Sequence, residues 1–188
     1  MSRSRRLFFA LWPEETWAVR LIEAAALPLQ MAGGRTLSAA DLHVTLCFLG
    51  AVDQGQIGAL RASAATIRAR PFDLQFERLE FWPKARIIAA TAAQVPRAGS
   101  ALAQDLGEMA RAAGLPPDAK IWRPHVTLVR GTGKPRWPDA TEGAWPMLSL
   151  RLPVRQFYLA QSQGLGAHTE DPSQGERYDK LAHWPLGG

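Results

Sequence analysis

The stretch Leu42–Gly50, LHVTLCFLG, and the stretch Arg123–Gly131, RPHVTLVRG, share the letters HVTL. The copies begin at His43 and His125, 82 residues apart in a chain of 188. Both read as strands. Residues two apart on a strand share a face. His43 and Thr45 therefore project together, with Val44 and Leu46 opposite, and His125 and Thr127 do the same against Val126 and Leu128. Apolar packing accounts for the Val and Leu positions. It accounts poorly for His and Thr, since buried polar groups cost free energy unless paired. One His-x-Thr strand is commonplace, but two at matching places in a longer repeat call for a chemical reason.

The repeat does extend outward. RLFFAL reads as a buried strand and PEETWAVRLIEAAALPLQ as a helix, with Pro13 and two acids in its first turn and Trp17, Leu21, Ile22 and Ala25 at helical spacing. The strand holding His43 follows. In the second half ARIIAAT is a short apolar strand. RAGSALAQDLGEMARAAG is a helix with Leu102, Leu106 and Met109 on one face and Gly114 as its stop, and the strand holding His125 follows. The two opening strands start about 79 residues apart, Leu7 to Arg86, close to the motif spacing. A helix over QGQIGALRASAATIRAR with Ile57, Leu60 and Ile67 on one stripe, and an alternating strand over FDLQFERLEF, complete the first half. The second half ends in strands over MLSLRLPVRQFYLAQS and RYDKLAHWPL. This predicts an α+β fold in which residues 1–188 form one domain of two pseudo-symmetric lobes. The first motif (43–46) sits in one and the second (125–128) in the other.

Composition sets the bounds. Lys plus Arg is 22 against 17 for Asp plus Glu, a formal charge of +5 that suits an anionic partner such as nucleic acid. The single cysteine, Cys47, allows no internal disulfide and fits a reducing compartment; mid-strand, it reads as a small buried hydrophobe rather than a nucleophile. The apolar part of MSRSRRLFFALWPEE is too short for a signal peptide, and no stretch approaches a membrane span. A cytoplasmic protein with no membrane association is expected.

A pseudo-two-fold axis between the strands would place two imidazoles and two hydroxyls around one cleft. Two histidines act as general acid and general base near neutral pH. Two threonine hydroxyls donate to the non-bridging oxygens of a phosphate. The set suits in-line attack on a phosphodiester without metal. A zinc site at His43 and His125 would need a third ligand, for which Asp41 and His168 are candidates only by default.

These features resemble the 2H phosphoesterase superfamily and, within it, the bacterial RNA 2′,3′-cyclic phosphodiesterases, also called 2′–5′ RNA ligases. RLFFAL, LHVTLCFLG, RPHVTLVRG and GERYDKLAHWPL carry the resemblance from end to end. It implies a bilobal α+β fold in which two antiparallel-rich sheets flank a central cleft, with helices outside, no metal or other cofactor, and hydrolysis of an RNA 2′,3′-cyclic phosphate end to a 2′-phosphomonoester, with 2′–5′ RNA ligation as the reverse. It assigns His43 as proton donor and His125 as acceptor, with Thr45 and Thr127 at the phosphate-binding positions. The expected partner is RNA with a 2′,3′-cyclic phosphate end, met by a monomer with no obligate protein partner. Two other readings stay open: a phosphodiesterase for a small cyclic-phosphate nucleotide, and a non-catalytic module that binds RNA ends or nucleotides.

Phe48 and Arg130 each lie five residues past a motif histidine. Five is odd, so on a regular strand both face away from the histidines, and only a bulge or a strand end returns them. If returned, Phe48 stacks on a base and Arg130 pairs with phosphate. Lys84, Arg86, Arg123, Lys134, Arg136, Arg151 and Arg155 are candidates for a basic rim. Trp12, Trp82, Trp137 and Trp145 lie beside or near prolines and read as structural corners. His168 and His183 have no matching threonine and read as non-catalytic.

Overall fold

The computed structural model describes residues 4–117, 121–133, 147–163 and 177–187. Among the described residues nine strands and four α-helices run in the order β1 (Ser4–Leu11), α1 (Glu15–Ala24), α2 (Ala26–Ala32), β2 (Arg35–Thr36), β3 (Val44–Asp53), α3 (Ile57–Ala64), β4 (Phe72–Trp82), β5 (Ile87–Ala92), α4 (Arg97–Ala112), β6 (His125–Arg130), β7 (Leu150–Val154), β8 (Gln156–Ser162) and β9 (Tyr178–Pro185). The strands form one antiparallel sheet in the order β7-β4-β5-β6-β3-β1-β8-β9, with the short β2 paired to β6. The expected α+β class holds. The two expected sheets are halves of this single sheet, joined where Val44 stands opposite Val126.

The halves match in layout. β6, β5 and β4 run outward on one side of the join as β3, β1 and β8 do on the other. The outer strand of each triplet comes from the other half of the chain. β4 follows the first motif in sequence but pairs with β5 of the second unit. β8 follows the second motif but pairs with β1 of the first.

One face of the sheet carries the main core. Leu7, Phe9 and Leu11 of β1 are buried there with Leu74 and Phe76 of β4. The helices cover this face through Trp17, Leu21, Leu60, Leu102 and Leu106. The alternate residues Phe8 and Ala10 turn to the other face and form a small separate cluster with Ala160.

Local chemistry explains where the helices stop. The expected helix from Pro13 is broken at Ala25 and restarts as α2. Pro28 has no N–H to continue a ladder, and it falls in the first turn of α2, where that N–H would have no partner anyway. α3 ends at Ala64, short of the expected stripe, though Ile67 still packs on the core. α4 ends in a Schellman motif. Gly114 has φ +75, Leu115 N–H donates to the Ala110 carbonyl at 2.9 Å, and Gly114 N–H donates to that of Arg111 at 2.9 Å. At the other end of α4, Gly99 lies so close to Trp122 that a Cβ would meet the indole at 2.6 Å. The seated indole donates to the Thr45 carbonyl at 2.9 Å, tying the approach to the second motif onto the strand of the first.

Candidate active site

The join between the halves positions the motifs. Around the pair Val44–Val126, antiparallel register sets His43 beside Thr127 and Thr45 beside His125. Val44 and Val126 are fully buried on the core side, so the two histidines and two threonines share the other face. They stand as two diagonal pairs about one point.

Both imidazoles are held alike. His43 Nδ1–H donates to the carbonyl oxygen of Asp41 at 2.7 Å, and His125 Nδ1–H donates to that of Arg123 at 2.8 Å. Each bond runs to the residue two back and uses the same ring nitrogen. A carbonyl only accepts, so Nδ1 carries the proton and Nε2 is left for chemistry in the cleft.

Their surroundings differ. His43 is 9% exposed and enclosed by aromatics. Trp12 stacks on it with centroids 4.9 Å apart, and Phe8 and Tyr178 close the cage at 5.1 and 4.7 Å. Burial is the main reason its pKa is held down to about 4, with Arg130 and His125 pushing the same way and the bond to Asp41 opposing. His125 packs against Trp82 at 4.6 Å. Its pKa is also lowered, chiefly by burial; the bond to the Arg123 carbonyl opposes this, the Arg123 and Arg130 guanidinium groups add to it, and Glu80 opposes it least. Glu80 Oε2 accepts from Trp82 Nε1 at 2.8 Å and from Arg123 at 2.5 Å, and Oε1 accepts from the Thr91 hydroxyl at 2.9 Å. Thr91 is the β5 partner of His125. Glu80 thus braces the groups around His125, while Tyr158 occupies the corresponding place near His43: Glu80 lies opposite Ala89, and Tyr158 opposite Ala10. One histidine has a carboxylate among its neighbours, and the other is caged by aromatic rings.

Phe48 and Arg130 do return to the cleft face, and a bulge in each strand is the reason. On β3, Ala10 pairs with Thr45 but Phe9 pairs with Cys47, leaving Leu46 as an extra residue. On β6, Ala89 pairs with Thr127 but Ile88 pairs with Val129, leaving Leu128 extra. Leu46 and Cys47, like Leu128 and Val129, are buried in succession. The bulges fall at equivalent positions and reset the alternation one residue later. Phe48, 38% exposed, and Arg130 then line the cleft with His43 and Thr45. The cleft has a volume of about 880 Å³.

The cleft's other charged residues lay outside sequence reasoning. Arg6, Arg35 and Arg177 line it, and Tyr178 closes one side. Arg177 N–H donates to the buried Asp41 carboxylate at 2.9 Å, so Asp41 anchors both the His43 ring and the start of β9. The basic rim needs correction. Arg151 and Arg155 pair with Asp73 at 2.6 and 3.9 Å, outside the cleft. Arg123 is bound to Glu80 and lies over Trp82 at 4.9 Å. Arg86 donates to the carbonyls of Gly131 and Thr132. Lys84 is exposed and does not line the cleft. Lys134, Arg136, Trp137, Trp145 and His168 lie outside the described residues. Trp12 and Trp82 flank prolines as expected, but their rings serve the histidines. His183 stands beside Tyr158 and does not line the cleft. Cys47 is buried, and burial pushes its thiol up to about 11, as befits a packing residue. Among the described residues no group of three or more His, Cys, Asp and Glu side chains is arranged to hold a metal ion, and no helix is long and apolar enough to cross a membrane.

Burial of a neutral His43 makes stability depend on pH. Its folded pKa of about 4 lies below the unfolded reference near 6.5. The unfolded state therefore binds the extra proton between those values. The stabilisation is complete above about pH 6.5 and is lost as pH falls toward 4, by roughly 3 kcal/mol, and His125 acts in the same direction. Urea midpoints should fall between pH 7 and pH 4.5, and His43→Gln should flatten that fall. An identical slope in wild type and variant would place the acid sensitivity elsewhere.

The family model described as LigT-like phosphoesterase matches residues 11–89, which include the first motif. A curated relative, the RNA 2′,3′-cyclic phosphodiesterase of Escherichia coli (strain K12), is 30% identical over 189 residues, covering 99% of each chain. A second, from Bacillus subtilis (strain 168) and of the same name, is 29% identical over 131 residues, covering 65% of this chain and 71% of the relative. The crystal structure of E. coli LigT complexed with 3′-AMP superposes with a TM-score of 0.83 at 28% identity, covering 99% of this chain and all of the other.

Proposed function

The chain belongs to the LigT-like phosphoesterase family, and from that premise we propose that it hydrolyses RNA 2′,3′-cyclic phosphodiester ends to 2′-phosphomonoesters. One observation carries the reading most: two imidazoles, each with Nδ1 tied to a backbone carbonyl and Nε2 left for the cleft, flank a single point on the sheet.

In this reaction the cyclic phosphate sits over the Val44–Val126 join. His125 Nε2 takes a proton from water as its oxygen attacks phosphorus. The bond to O3′ breaks, and His43 Nε2 gives that oxygen a proton. Thr45 and Thr127 donate to the non-bridging oxygens, and Arg130 offsets their charge. Phe48 offers a face for a base. The different surroundings of the histidines support this division of labour. A base that becomes charged benefits from the bond to the Arg123 carbonyl and, to a lesser degree, from Glu80, which offset part of the cost of burial and of the nearby arginines. An acid gives up its proton readily where burial among aromatic rings, with Arg130 nearby, disfavours its charged form. The same step with a 5′-hydroxyl in place of water gives 2′–5′ joining: His125 takes the hydroxyl proton, its oxygen bonds to phosphorus, and the departing O3′ is protonated by His43. The reading carries with it a cytoplasmic monomer, with residues 1–188 acting as one domain of two pseudo-symmetric lobes and without a cofactor.

The test is an oligoribonucleotide ending in a 2′,3′-cyclic phosphate, incubated with the protein and EDTA. The expected product has gained one water and ends in a 2′-phosphate. A 3′-phosphate product, or no gain of water, sinks the proposal. Binding without turnover would favour the non-catalytic module.

A further inference from the structure

The cleft is more basic than one reacting phosphate requires. Arg6, Arg35, Arg130 and Arg177 line it, and among the described residues no Asp or Glu does. Arg35 stands directly opposite Arg130 in the β2–β6 pair. Like charges placed so are destabilising on a sheet, yet the fold is built to put them there. β2 has only two residues. It is brought against β6 by Gly34, whose φ is +84 and where a Cβ would meet the Arg130 carbonyl oxygen at 2.8 Å and the Thr132 nitrogen at 2.9 Å. Only glycine fits that approach. Thr132, fully buried, closes the join by donating its hydroxyl to the Ala32 carbonyl at 2.6 Å. The guanidinium of Arg35 has its pKa lowered by burial and then by Arg177 and Arg130, so the three arginines feel one another.

Arg130 acts on both histidines electrostatically, so it reaches the reacting centre. Arg35 and Arg177 continue the charge away from it. β2 covers the edge of β6 at Val129 and Arg130, beyond Val126, where β3 pairs.

Resting on the reaction read above, we propose that Arg35 and Arg177, with Arg130 at the junction, bind a second phosphate of the substrate, the one on the 5′ side of the terminal nucleoside. The favoured substrate is then an RNA end or a 5′-phosphorylated nucleotide, and a bare nucleoside 2′,3′-cyclic phosphate is a poorer one.

Product analogues test this without turnover. Calorimetric titration compares adenosine 2′-phosphate with adenosine 2′,5′-bisphosphate. Wild type should bind the bisphosphate about 10- to 100-fold more tightly, the usual worth of a charge-assisted contact. Arg35→Gln and Arg177→Gln should each remove most of that preference, and Arg35→Lys should keep part of it. Equal affinities in wild type, or an unchanged preference in both Gln variants, would overturn the second-phosphate site. Hydrolysis of the cyclic-phosphate oligonucleotide reports separately on the reaction. A protein that prefers the bisphosphate but leaves the oligonucleotide intact refutes the reaction and keeps the site.

Discussion

Replacing either motif histidine should slow single-turnover hydrolysis of a cyclic-phosphate RNA by roughly 10²–10⁴-fold, the usual contribution of a positioned proton-transfer group. Both Nε2 atoms are left for the cleft by the same backbone bond, so His43→Ala and His125→Ala should have losses of similar size. The two act in one step, and losses within a unit do not add. The double variant should therefore be little slower than the worse single one. His125→Ala is expected to keep its fold, because that ring lies on the cleft side rather than in the main core. His43→Ala opens space within the Phe8, Trp12 and Tyr178 cage, so its folding is checked by circular dichroism and His43→Gln serves as the larger replacement. A His125→Ala protein that turns over at the wild-type rate would end the acid–base assignment.

Binding of a phosphodiester should take up a proton. In the protein alone His43 is neutral down to about pH 4, yet the proposed acid must carry a proton when the leaving oxygen departs. The substrate's own anion supplies the missing charge and lifts the pKa. Between the free and bound values, affinity should fall about tenfold for each unit rise in pH. His125→Ala allows the measurement, since it slows turnover and removes the other imidazole together. A cyclic phosphodiester does not titrate in this range, so any proton taken up from the buffer is bound by a group of the protein. Calorimetry in two buffers of different ionisation enthalpy should show uptake of close to one proton in the middle of the window. Zero uptake from pH 5 to 7 would mean that His43 stays neutral, and the acid and base roles would exchange.

How much of this was legible in the sequence varies with the physics. HVTL repeated within a repeated strand–helix–strand pattern marked the site, because period-two alternation separates polar from apolar residues without any tertiary information. The helix over α4 and its stop at Gly114 were readable for the same local reason. Phe48 and Arg130 were readable only as a conditional. Their side depends on a one-residue bulge, and a bulge is settled by pairing with β1 and β5, not by the bulged segment itself. Arg35 and Arg177 come from short segments with no periodicity, and nothing local says which strand edge they will reach. Trp12 and Trp82 sit beside prolines, which gave a sufficient local reason for both and hid their packing on the histidines. The single continuous sheet depends on one pair, Val44 with Val126, at a sequence separation no local pattern reports.

The exchange of β4 and β8 between the halves bears on how the chain is made. On a ribosome, the β1–β3 pair emerges early, with one edge of β1 bare. Its covering strand, β8, begins at Gln156, and the Arg6–Ser162 pair joins strands far apart in the chain. At roughly 5–20 residues per second, the β1–β3 pair waits many seconds for that partner. An unpaired strand edge is a template for association with other chains. Translation speed and holding chaperones should therefore affect the yield of folded protein more than they affect its final stability, and a nascent chain stalled before β8 should be the species that aggregates.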